Sequence, residues 1–116
     1  MENLISETML SYNEYIAKLP EGCQNIADCI RIDNLSAALK SILEFSEGVS
    51  WLIDANNVLE KNSFINLLNT EKINEFLIEI NNGLEIQDYV VVADMFEYEI
   101  KTFFEECTVY EISGNA

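Results

Sequence analysis

The stretch from Asp88 to Cys107 constrains the fold more than any other part of the chain. It opens with an apolar run, Tyr89 to Ala93, whose valines suit a β-strand on propensity alone. The residues that follow do not. Tyr89, Val92, Ala93, Phe96, Ile100, Phe103 and Cys107 are separated by 3, 1, 3, 4, 3 and 4 residues, and at about 100° per residue they share one helix face for about five turns. A strand would put Asp94 on the same face as Val90 and Val92, and no turn residues close off the valines on their C-terminal side. The spacing predicts a helix capped by Asp88 and running to Ile112, in which the β-preference of the valines is overruled.

One proline and four glycines leave the rest of the chain few breaks, so its elements should also be long. Ile5, Met9, Tyr12, Ile16 and Leu19 mark a first helix that Pro20 is expected to end. Pro20 can then open a short second helix with Cys23, Ile26, Ala27 and Ile30 on one face. Asp33 is the expected N-cap of the longest helix, 34–60, whose inner face runs from Leu35 through Ala38, Leu39, Ile42, Phe45, Val49, Leu52 and Ile53 to Asn56. Its reverse side carries Ala37, Ser41, Gly48, Trp51, Ala55 and Val58. A glycine there costs about 1 kcal/mol of helix propensity, which suggests that another backbone packs close.

After a loop at Lys61-Asn62-Ser63, Phe64 to Leu68 should form one helical turn, and Thr70 should cap a helix over 71–86. Its inner face is Ile73, Phe76, Leu77, Ile80 and Leu84, and Asn81-Asn82-Gly83 should weaken its end. No repeat or long linker divides the chain. The expectation is one domain over 1–116: an all-α, mainly antiparallel helical bundle of four to five helices.

Charge then narrows the function. Twenty-one acids face six bases and no histidine, a formal −15. Nucleic-acid binding needs lysines and arginines to displace counterions, and an anionic membrane would repel this chain, so neither partner is expected. The longest apolar run, five residues, is far too short to span a bilayer. Cys23, Cys29 and Cys107 form no metal or redox motif, and the acidic start lacks a signal-peptide pattern, which points to a reducing cytoplasm. Without histidine the Glu-x-x-His bundle metal site and the usual base for a serine or cysteine nucleophile are missing, and the glycines are isolated. The sequence thus predicts no catalytic residues, no metal and no cofactor.

What remains is protein binding, and two faces are candidates. Val91, Met95 and Tyr98 stand four and three apart, opposite the core stripe and beside Asp94 and Glu97, as an apolar strip with an acidic rim. Such a strip fits either a last helix buried on both sides or a groove for a partner with a basic or amphipathic helical segment. Trp51, on the reverse side of the long helix, is the second candidate anchor. A homodimer is compatible with either.

From Pro20 to Glu106 the order of elements resembles the flagellin-export chaperone family, through Pro20-Glu21, the run DNLSAALKSILEF and the opening IQDYVVV of the last helix. That resemblance implies a small, acidic, cytoplasmic helical bundle holding a helix of an exported subunit. The helix after Pro20-Glu21 lacks that family's Leu-Tyr-Asp pattern, and ADMFEYEI is more similar to small uncharacterised helical proteins of low-GC bacteria. The alternatives are an acidic inhibitor or immunity-type protein that masks a basic partner, and a small carboxylate-dependent enzyme.

Overall fold

The structure, a computed structural model, describes residues 2–112. Four helical rods run antiparallel: α1 (Glu2–Arg31), α2 (Leu35–Lys61), α3 (Thr70–Glu85) and a last rod made of α4 (Tyr89–Asp94), a π-helical segment (Met95–Ile100) and α5 (Lys101–Glu105). Among the described residues there is no strand. The all-α bundle is therefore as the periodicities predict, although several boundaries move.

The two expected N-terminal helices are one. Met9, Tyr12, Ile16, Leu19, Cys23, Ile26 and Ile30 are all buried and continue at spacings of three and four straight across Pro20, which sits inside α1. Proline removes one backbone bond, to the Ile16 carbonyl. An apolar stripe on both sides of it, anchored on the same core, outweighs that loss.

Helix ends account for the next differences. Asn34, not Asp33, caps α2, its side chain accepting from the Ala37 N–H, while Asp33 adopts a left-handed backbone at φ 61°. Asn69, not Thr70, caps α3, through the Lys72 N–H. Phe64 to Leu68 are not a helical turn but extended loop. Gly83 does not fray α3. It is buried, and a Cβ there would meet Val92 Cγ2 at 2.6 Å, so it marks where α3 and α4 come closest.

The last rod begins as expected, with Asp88 accepting from the Val91 N–H, but its register slips. Lys101 donates to the Phe96 carbonyl, five residues back rather than four. This is in effect one extra residue, and it rotates everything after it by about 100° relative to a regular helix. Phe104 becomes the buried aromatic and Phe103 moves to the edge of the core. The helix stops at Glu105 instead of Ile112, and residues 107–112 run as an extended strap.

One hydrophobic cluster joins all four rods. Phe45 of α2 sits at its centre, edge-on to Phe96 at 5.2 Å and to Phe104 at 6.2 Å. Rod α1 is flanked by α2 on one side and the last rod on the other, while α3 packs against α4 and α2.

Candidate functional site

The first candidate strip does not survive, because the buried face of the last rod is wider than the core stripe alone and takes in Met95 beside Val92. Met95, expected on the outer face, is only 3% exposed and belongs to the core. Val91 and Tyr98 remain exposed on either side of it, so the three do not form a continuous apolar surface. The acidic rim is also engaged. Arg31, the chain's one arginine, reaches from the end of α1 to pair with Asp94 at 2.9 Å and with Glu97. Gln24 donates to Glu97 at 3.1 Å and accepts from Lys101 at 3.1 Å, completing a polar seam between α1 and the last rod. Arg31, and secondarily Gln24, hold the Glu97 carboxyl below the usual carboxylate range, and Glu97 in turn raises the Tyr98 phenol. Asp94 and Glu97 are thus tied to this chain's own cation.

A second polar cluster, which the sequence reading missed, pins down the strap. The Asn13 side chain donates to the Tyr110 carbonyl and accepts from the Tyr110 N–H, both at 2.9 Å, satisfying this residue's backbone as a neighbouring strand would. The Tyr110 ring stands edge-on to Tyr12 at 4.9 Å, and its hydroxyl accepts from buried Asn56 at 2.7 Å. Asn66 exchanges bonds with Thr108. Asn56 lies on the core face of α2, where an amide without partners would be costly, and its burial was the available sign that polar partners had to converge on it.

A groove runs between α1 and α2. Two depressions meet at Tyr15. One, about 310 Å³, is floored by Leu19, Ile26 and Phe45 and edged by Lys18 and Glu44. The other, about 320 Å³, lies between Ser11, Tyr15, Gly48 and Trp51. The Tyr15 ring separates them by lying on Gly48, where a Cβ would fall 1.7 Å from the hydroxyl oxygen. The reverse side of α2 therefore admits a phenol ring, not the backbone that its glycine suggested. Trp51 is 41% exposed at the groove's edge, with Val58 and Leu4 exposed toward its end. Burial, together with Glu44 nearby, raises the Tyr15 phenol.

Residues 7–108 match a protein family described as a domain of unknown function, DUF8042. The chain belongs to this family. No curated protein and no solved structure matches it, so no named relative supports the resemblance to export chaperones. The matched span of the DUF8042 domain takes in the groove, the Arg31 seam and Asn13, Asn56 and Asn66.

Burial holds two of the three thiols of this DUF8042 chain in the protonated form. Cys23 is fully buried, which pushes its thiol up to about 12, and burial pushes Cys107 up to about 11. Cys29 is half-buried. Among the described residues no three carboxylates or thiols gather as a metal site would need, and no helix is long and apolar enough to cross a membrane.

Proposed function

We propose that this DUF8042 protein is a non-catalytic binding bundle of the cytoplasm that holds a basic, amphipathic helix of a partner protein. The observation that carries this reading is the α1–α2 groove, an apolar floor edged by Glu44, between two helices whose exposed faces are rich in acids. Glu7, Glu14 and Glu21 are exposed on α1, as are Glu44, Glu47 and Asp54 on α2. Over residues 7–54 the bases are Lys18, Lys40 and Arg31, and Arg31 is already paired. An apolar floor favours an apolar face, while exposed acids on the helices around it favour lysines or arginines beside it.

The row of acids on α1 also favours an acidic inhibitor that masks a basic surface by charge alone. One titration separates the two. A synthetic helix with leucines on one face and lysines on its flanks is compared by calorimetry with a scrambled peptide of identical composition. Helix holding requires the amphipathic peptide to bind much more tightly. Equal binding supports masking by charge, and no binding by either peptide ends both readings.

A further inference from the structure

We infer that Tyr15 is a displaceable plug in the α1–α2 groove, and that the partner helix seats a large apolar side chain where the Tyr15 ring lies in the free protein. The inference rests on the binding reading above and names its site and its anchor.

The ring divides what is otherwise a single trough. Both depressions are lined by Tyr15, and between them they extend from Ser11 to Ile26 along α1. That length of helix covers roughly 23 Å, about four turns of a partner helix. What holds the ring in place is weak. The hydroxyls of Tyr12 and Tyr110 are tied to Asn66 and Asn56, whereas among the described residues the Tyr15 hydroxyl has no such tie. Its seat exists only because residue 48 has no Cβ, so the ring end rests on bare α2 backbone. A side chain held by contact alone, at the mouth of an apolar trough, can rotate out when another apolar group takes over its burial.

Charge selects the occupant. Glu44 and Lys18 line the trough, and the exposed faces of α1 and α2 around it add Glu7, Glu14, Glu21, Glu47 and Asp54. A second copy of this chain, itself at −15, would meet like charge along the whole length. A helix with leucine or phenylalanine anchors flanked by lysines meets the opposite charge.

Trp51 lines the trough beside Tyr15 and is the chain's single tryptophan, so its emission reports on this place alone. The test titrates the intact protein with the amphipathic lysine-flanked peptide, by calorimetry and by Trp51 fluorescence, in wild type, Tyr15→Ala and Gly48→Ala. Peptide binding should shift Trp51 emission to the blue. Tyr15→Ala should bind about tenfold more tightly, since affinity is no longer reduced by the fraction of molecules in which the groove is plugged. Gly48→Ala pushes the ring off its seat without deleting it, so it should move affinity in the same direction even if Tyr15→Ala folds poorly. Calorimetric binding with silent Trp51 would place the peptide on another face and overturn the groove while leaving the binding reading intact. A Trp51 response with unchanged or weakened affinity in both variants would show that the ring is part of the contact surface and overturn the plug. No calorimetric binding in wild type would remove the binding reading, and this inference with it.

Discussion

Replacing Gln87 by glycine should stabilise the protein, and the reason lies in how its helices stop. Rods α1, α2 and α3 end in the same way. The N–H of Asn34 bonds back to Cys29, that of Phe64 to Leu59 and that of Asp88 to Gly83, each spanning five residues. Just before each of these, a residue sits in the left-handed region: Asp33 at φ 61°, Ser63 at 72° and Gln87 at 57°. Glycine is the usual occupant of this position. A side chain there crowds the following carbonyl at a cost of roughly 1–2 kcal/mol, against roughly 0.5–1 kcal/mol that glycine loses through its freer unfolded chain. The net gain is about 0.5–1 kcal/mol per site. All three side chains are exposed, so truncation opens no cavity.

In a chain of this size that gain corresponds to a rise of about 2–4 °C in Tm for Gln87→Gly or Ser63→Gly. Asp33→Gly should gain somewhat more, because it also removes an acid from the negative end of the α1 dipole; Asp33→Asn separates the two effects. Ser63 lies a helix length from the other two and should add to either, while Asp33 and Gln87 border one depression and need not be additive. Gln87→Ala keeps the offending Cβ and is the control. Should Gln87→Gly melt no higher than Gln87→Ala in calorimetric scans, left-handed strain is not what limits these helix ends.

Other substitutions test the packing and the seam. Met95→Asp should cost more than about 3 kcal/mol by burying an unpaired carboxylate, whereas Val91→Asp, one turn earlier and exposed, should stay within about 0.5 kcal/mol, both measured by denaturant melts. Because Arg31 depresses the Glu97 pKa, this pair should contribute stability above the pKa of an unfolded glutamate and lose it as pH falls through the folded value. Carbon-detected NMR should find Glu97 titrating below the usual carboxylate range, and returning toward it in Arg31→Gln. Thiol labelling of the native protein near neutral pH should leave Cys23 unmodified until the chain unfolds, because burial disfavours its thiolate.

Periodicity carried the helices into view because burial and spacing are the same fact on a regular helix. Ile5 to Leu19, most of the inner face of α2 and the Asp88 cap are legible for that reason, although Leu39, expected inside, is exposed and Ala55, expected on the reverse side, is buried. The π segment was not, since nothing in MFEYEI announces a carbonyl bonded five residues on, and the slip exchanged Phe103 for Phe104 in the core; Met95, ahead of the slip, is buried beside Val92 because the last rod packs over a broader face than its stripe implied. Pro20 misled because its local preference is strong and its tertiary override is not local. The three helix ends hide for a related reason: without glycine at Asp33, Ser63 or Gln87, the turns carry no punctuation. The groove was half visible. Gly48 announced a close approach, but whether backbone or phenol fills the space depends on α1 lying alongside, which no single-helix pattern contains.

The exposed acids of α1 suit the proposed helical partner in their spacing as well as in their number. Among the described residues only three ion pairs form, and one of them is a local pair between Lys72 and Glu75, so most of the negative charge is uncompensated. Along α1 it is also regularly spaced: Glu7, Glu14, Glu21 and Asp28 recur every seventh residue. Seven residues of helix rise roughly 10.5 Å, slightly more than the Debye length of about 8 Å at physiological salt. Each acid is therefore screened from the next, which keeps self-repulsion moderate, yet the row stays a linear array. Glu14 and Glu21 lie within the stretch of α1 that borders the groove, from Ser11 to Ile26, so the proposed partner helix, with the same rise per residue, would meet both with lysines or arginines seven residues apart. Asp28 lies outside that stretch and accepts from Gln24 beside the last rod, so it belongs to the seam and not to this pair.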